Sequence, residues 1–352
     1  MNNRYVLIKE DGQIIDNPTI EGLSVNFQGS GSYVEIHEGS KFVNTKINIS
    51  NDSRVIIKKT HILGIKGLII GADGRSKCNY VYIDENFHLS DAGRFVCNGT
   101  DNQGIRIGRD NMWSSGIVVR ASDGHQLFDL ESLETENFAD EITFGDNVWI
   151  GSEVVVMKGV HIPSGSVVGQ SSLVTKKFTE ENTVIVGNPA RVVKHNVGWS
   201  QDYVWDSKEA QEQDRDKKSS ILEYYDRNYP YWKVDSSSEN LELTRLEADS
   251  KDRWVNFFTK KSLKIDQEYY IVLEYISSVS SQFTIFMTND NQEIYRTPSF
   301  WAKKDQRRKI IFPFTPDIKD ITKISLSASH FPEGTKIDIF DFRVCKLHKN
   351  IK

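Results

Sequence analysis

One position in every six is apolar through much of the first half of this chain. The column reads Ile83, Leu89 and Phe95, lapses at Asp101, and continues as Ile107, Trp113 and Val119. It resumes as Phe144, Ile150, Val156, Ile162, Val168 and Val174. The next residue is often Gly or Pro (Gly108, Gly145, Gly151, Pro163, Gly169), and four positions on stands a modest side chain (Val148, Val154, Val160, Ser166, Ser172). A period of six is neither the 3.6 of a helix nor the 2 of a half-buried strand. It fits a chain that runs straight for a few residues, turns a corner and repeats, with three flat sides to each turn. The column then points inward, the glycine supplies the corner dihedrals, and the small residue fills the corner. Successive turns stack as parallel strands, each burying its column only against its neighbours. A β-sandwich gives no reason for the unbroken run from Phe144 to Val174. The expected architecture is a parallel β-helix.

The rhythm stops altogether after Val119. Counting on from Val119, the next inward slot is His125, in the stretch ASDGHQLFDL. An imidazole is a poor core filler, because its second nitrogen would need a buried partner. The acidic stretch QLFDLESLETENFAD that follows has no six-residue pattern, so residues 125–141 read as a loop leaving the coil, with His125 at its root.

Composition narrows the setting. The formal net charge is −5, with cations spread along the chain, which argues against a nucleic-acid partner. No apolar run is long enough to span a membrane, and the first residues lack a signal-peptide core, so a cytoplasmic protein is expected. Cys78, Cys97 and Cys345 are odd in number and have no metal-ligand spacing, and are expected as reduced thiols.

The segment ITFGDNVWIGSEVVVMKGVHIPSGSVVGQSSLVTKKF, followed by VIVGNPARVVK, closely resembles the hexapeptide-repeat acyltransferases, a family that includes polysaccharide and sialic-acid-polymer O-acetyltransferases. The likeness extends over about residues 30–198 and is strongest from 105 to 196. It implies a left-handed parallel β-helix, the opposite hand to ordinary parallel crossovers. It also implies a homotrimer with active sites between subunits, acetyl-CoA as donor, a sugar or polysaccharide acceptor and no metal. Similar polysaccharide O-acetyltransferases carry their catalytic histidine in an SDGH-type stretch, and His125 matches it.

Transfer of an acetyl group from a thioester to a hydroxyl needs a base, and a neutral imidazole suits that role at cellular pH. A carboxylate on the other ring nitrogen would fix the tautomer, and Asp123 and Asp129 are both open to that role. A donor must face the oxyanion, either a backbone N–H or an indole. Trp149, beside the column residue Ile150, either fills that place, stacks on a sugar or the pantetheine arm, or packs at a subunit seam. Thr175 and Lys176 match family positions that contact CoA. Gly151, Gly169 and Ser171 join them along the amide arm, and Arg191 and Lys194 are candidates for its phosphates. Ser122, His125 and Asp129 do not make a hydrolase triad, since no strand–turn–helix elbow surrounds Ser122.

After Lys194 the composition changes. Residues 205–228 are charged and poor in glycine, and read as a helix ending before Pro230. Alternating stretches such as QFTIFM and KIDIFDFRV then predict an antiparallel β-sandwich. Its jelly-roll shape looks like that of carbohydrate-binding modules, with Trp254, Phe300 and Trp301 as stacking candidates and FWAKKDQRRK as a cationic loop. The expected organisation is an N-terminal cap over residues 1–29, the coil over 30–198, a helical linker over 199–234 and the sandwich over 235–352. The functional expectation is an acetyl-CoA-dependent O-acetyltransferase of a bacterial surface (capsular) polysaccharide. The alternatives are N-acetylation of a nucleotide-linked amino sugar, or a non-catalytic glycan-binding trimer.

Overall fold

The computed structural model describes residues 2–71, 76–97, 101–201, 210–211, 214, 222–225, 232–236, 241–246, 254–265, 267–327 and 331–347. The chain divides into two compact units, Met1–Trp199 and Ser200–Lys352.

The first unit is a parallel coil with three flat sides. One side stacks Arg4–Ile8, Tyr33–His37, Arg54–Ile57, Tyr80–Ile83, Gly104–Ile107, Ile142–Phe144 and His161–Ile162, each parallel to the next. Two more sides run from Phe42–Val43 and from Leu23–Phe27. They join where His88–Val96 and Met112–Arg120 each run through a corner as one strand. Residues 1–29, expected as a cap, contribute strands to the coil itself, and Ile14–Asp16 closes the edge of the first strand antiparallel.

The apolar column points inward as expected. Ile107, Trp113, Val119, Ile150, Val156, Ile162, Val168 and Val174 are fully buried, and so are the corner fillers Val148, Val154 and Val160. The glycines do a different job from the one their position suggests. Gly108, Gly145, Gly151 and Gly169 are absent from the left-handed region. That region is occupied instead three residues after each column position, at Asn147, Glu153, Gly159, Gly165 and Ser171, with φ between 58° and 71°. Asparagine tolerates this conformation better than most residues, and glycine best of all. The glycine after the column is required for close stacking. A Cβ at Gly145 would lie 2.5 Å from the Ser164 nitrogen, and one at Gly151 would lie 2.7 Å from the Gln170 nitrogen.

Coil length shows where the chain departs from regularity. Thr143 pairs with His161 and Val155 with Leu173, eighteen positions apart. Ile105 pairs with Ile142 and Val118 with Val155, thirty-seven apart. The excess is the excursion that follows Ser122.

The second unit holds two five-stranded antiparallel sheets. One runs Leu222–Tyr225, Trp254–Leu263, Ile321–Ser327, Ser281–Thr288, Ile294–Ala302; the other runs Trp232–Ser236, Leu241–Arg245, Lys336–Lys346, Tyr269–Ser277, Arg308–Phe314. The helical reading of residues 205–228 fails at its end, because Leu222–Tyr225 is a strand paired with Trp254–Leu263. A partner strand overrides weak local helix preference. Ala210, Gln211 and Asp214 are helical, and the rest of that stretch lies outside the described residues.

Phe300 is fully buried and packs on Phe283 and Phe312, so it is core rather than a sugar platform. The side chain of Trp254 lies outside the described residues. Arg307, Arg308 and Lys309 of FWAKKDQRRK are engaged internally, Arg308 Nη1 donating to the Trp301 carbonyl. Arg307 pairs with Glu274 at 2.7 Å and lies 4.0 Å from the Phe340 ring centre. Lys309 pairs with buried Asp214. That engagement takes away much of the free positive field expected of this loop.

Candidate active site

The coil ends its regular run at Ala121 and Ser122, both buried, with the Ala121 N–H donating to the Val96 carbonyl at 3.1 Å. Beyond them the chain turns outward at Gly124, where φ is +81°. His125 is therefore exposed, at the root of the excursion, and not in the inward slot that simple counting assigns to it.

The excursion is an irregular hairpin. The Asp129 N–H donates to the Glu134 carbonyl, the Glu136 N–H donates to the Leu127 carbonyl, and Phe128 bridges Thr135. Its tip is held by Asp129, whose Oδ1 accepts from the N–H groups of Glu131 (2.9 Å) and Ser132 (2.7 Å). These bonds hold the Asp129 carboxyl below its usual range. Leu127, Phe128, Leu130, Leu133 and Phe138 all stand exposed on this loop.

Neither carboxylate proposed as the orienter of His125 meets the ring. Asp129 caps its own turn. Asp123 Oδ2 accepts from Lys158 Nζ at 2.6 Å and from Asn137 Nδ2 at 2.8 Å. Those two contacts, Lys158 first, hold the Asp123 carboxyl below its ordinary value. A carboxyl lowered on folding stabilises the fold above its unfolded pKa, and that contribution is lost as pH falls through the folded value. Asp123→Asn should therefore unfold at a lower temperature than the parent protein at pH 7, and the gap should close as pH falls below the ordinary carboxylate range and through the lowered folded value. Thermal scans across pH check this, and a gap that persists in acid would point to another cause.

Nothing in the sequence marks Asn137 and Lys158. Each is an ordinary polar residue, and Lys158 lies 35 positions from Asp123. Only the stacking of coils brings it under the loop.

Trp149 is 41% exposed on the coil face, with its ring centre 5.9 Å from that of Trp199. Trp199 is buried, and its indole N–H donates to the Asn147 carbonyl at 2.7 Å. This second tryptophan, after the GNPARVVK strand, had no signal in the repeat.

The residues expected along CoA fall into two groups. Gly151, Gly169 and Ser171 have reasons in the coil itself. A Cβ on Gly169 would meet Val186 at 2.4 Å, and Ser171 sits at a left-handed corner with its N–H on the Ser152 carbonyl. Thr175, Lys176, Arg191 and Lys194 are exposed near the end of the coil. The Lys176 ammonium lies 5.5 Å from the Phe178 ring centre, and Arg191 Nη1 donates to the Ala190 carbonyl. Among the described residues, none of Lys176, Arg191 and Lys194 forms an ion pair. Lys177, by contrast, pairs with Asp140 at 3.2 Å.

No protein-family model matches the chain. Over 168 residues it is 32% identical to the polysialic acid O-acetyltransferase of Escherichia coli O1:K1 / APEC, covering 48% of this chain and 45% of that protein. Over 114 residues it is 35% identical to the galactoside O-acetyltransferase of Escherichia coli (strain K12), covering 32% of this chain and 53% of that one. The chain thus spans about half the length of the curated relatives it matches. The solved polySia-specific acetyltransferase NeuO is 26% identical, covering 55% of this chain and 95% of that one, with a TM-score of 0.38 that adds nothing to the sequence match. The resemblance read from the repeats and GNPAR is to O-acetyltransferases.

Proposed function

We propose that this chain transfers an acetyl group from acetyl-CoA to a hydroxyl of a bacterial surface polysaccharide, with His125 as general base. The carrying observation is that the coil similar to O-acetyltransferases makes its longest excursion, thirty-seven positions between paired strands, from a root that carries an exposed histidine. In the step, an imidazole nitrogen takes the hydroxyl proton as oxygen forms its bond to the thioester carbon. The carbon–sulfur bond then breaks, and the proton passes from the imidazolium to the leaving sulfur. A coil N–H or the indole N–H of half-exposed Trp149 would face the developing oxyanion. Trp149→Ala should weaken acceptor or donor binding, and unchanged kinetics would return Trp149 to packing.

A polymer acceptor is favoured by the polysialic acid O-acetyltransferase among the relatives. The same reading brings a left-handed coil, a cytoplasmic location beside the acetyl-CoA pool, and a homotrimer with sites between subunits. The exposed apolar side chains of the hairpin suit coverage by a second copy.

Mass spectrometry of polysialic acid and other capsular oligosaccharides after incubation with acetyl-CoA tests the activity. A mass gain of one acetyl that mild alkali removes supports an ester; alkali-stable product would indicate an amide instead. For the donor, Arg191→Ala with Lys194→Ala should weaken CoA binding by about tenfold or more, with a flatter salt dependence. Isothermal titration at two ionic strengths reads this directly, and unchanged affinity would remove both residues from the donor site.

A further inference from the structure

The backbone that carries His125 is tied down from both sides by residues to which nothing above gives a role. Asn137 returns from the far strand of the hairpin and bonds to three points around the histidine. Its Nδ2 donates to Asp123 Oδ2 and to the His125 carbonyl, each at 2.8 Å, while its Oδ1 accepts from the Leu127 N–H at 2.7 Å. Lys158 completes the clasp from below. Its Nζ reaches Asp123 Oδ2 at 2.6 Å and the Asn137 carbonyl at 2.9 Å. Lys158 belongs to the coil, two residues after the inward Val156, so its ammonium connects the loop to the rigid frame. The Lys158 and Asp123 side chains are 21% and 28% exposed, partly withdrawn from water, where such a pair is more than a loose surface contact.

We propose that Asn137 and Lys158 are positioning residues that fix the backbone on both sides of His125 and so set where its imidazole meets the acceptor hydroxyl. The proposal rests on the reading of His125 as base. It assigns Asp123 to the frame under the histidine in place of a bond to the ring. The clasp touches Asp123, the His125 carbonyl and the Leu127 nitrogen but not the imidazole, which stays exposed to substrate. Gly124 lets the chain make the turn between them, at a φ that other residues rarely adopt. A base displaced by about 1 Å loses on the order of a hundredfold in rate, so holding a loop-borne base is worth this many bonds.

The test uses the full chain, with acetyl-CoA and whichever glycan of the panel above supports release of CoA. Asn137→Ala and Lys158→Met should each lower kcat by about ten- to a hundredfold, with KM for acetyl-CoA within about twofold. The unfolding midpoint of the coil should move by no more than a few degrees, since the clasp holds an excursion and not the core. Lys158→Arg should restore most of kcat, because a guanidinium can serve both acceptors. Parental kcat in both variants would overturn the proposal, and so would a rise in KM matching the loss in kcat alongside a collapsed midpoint. Hydrogen exchange of the peptide covering residues 123–130 gives a readout independent of turnover. Protection in the parent protein, lost in Asn137→Ala, is expected, and free exchange in the parent protein would overturn the clasp. His125→Ala run alongside separates the two claims. An inactive His125→Ala with a normal Asn137→Ala removes only the clasp, whereas a fully active His125→Ala removes the base and the clasp together.

Discussion

His125→Ala should lose about three orders of magnitude in kcat, within the range that a positioned general base contributes. That loss corresponds to about 4 kcal/mol of transition-state stabilisation. The fold should be untouched, because the side chain is exposed and contributes nothing to the coil's buried column. CoA should still raise the unfolding temperature of the variant, since the candidate donor residues Thr175, Lys176, Arg191 and Lys194 lie elsewhere on the coil. This combination separates a lost base from a lost site. A variant within about threefold of the parent kcat would place the proton acceptor elsewhere. A variant that neither turns over nor responds to CoA would point to damage beyond one imidazole. A glycan-binding protein without catalysis would give a third pattern, in which the parent protein shows no thermal response to CoA.

The second large effect is on stability. Trp113→Ala should destabilise the coil by about 3–5 kcal/mol, the usual cost of emptying a large aromatic site. Trp113 is fully buried, and its ring centre lies 5.1 Å from Phe87, 5.8 Å from Phe95 and 4.6 Å from Phe144. Phe87 and Phe95 sit on the coil below and Phe144 follows the excursion, so one indole fills the interior on both sides of the break. The indole N–H also donates to Asn111 Oδ1 at 3.4 Å, and Asn111 Nδ2 in turn donates to the carbonyls of Gly108 and Gly145. Truncation thus disturbs the polar tie that spans the insertion. For a unit of this size the unfolding midpoint should drop by roughly 10 °C. Differential scanning calorimetry would show it in the transition of the first unit, and Trp113→Phe should recover part of the loss. A drop of under two degrees would mean that neighbouring aromatics collapse into the space.

The coil was legible because each flat side repeats the same local problem. An inward side chain every six residues can only be buried by a neighbour in the same phase, so the pattern is written many times over. The corner chemistry was misread for a physical reason. Glycine serves both positive φ and close approach, and its position after the column does not say which. The positive φ falls three residues after the column, at Asn147, Glu153 and Ser171 as well as at Gly159 and Gly165, so no single residue type marks it. His125 stands out in the sequence because it breaks the rhythm, whereas the side chains that hold the backbone around it do not. Asn137 and Lys158 meet Asp123 only through the return of the hairpin and the stacking of the next coil, contacts that no local spacing encodes. The strand at Leu222–Tyr225 is hidden by its charged surroundings, since its paired residues lie 32 to 37 positions later.

The thirty-seven-position step between Ile105 and Ile142 leaves the pairings above and below it in register. A stack in which each layer answers only to its neighbours can therefore accept a long graft at one corner without renegotiating the rest. The hairpin bearing His125 should therefore behave as an interchangeable cassette on a fixed chassis. Exchanging residues 123–141 for a loop of another length, joined at Ser122 and Ile142, should alter what the surface can do while leaving the frame's melting behaviour nearly unchanged.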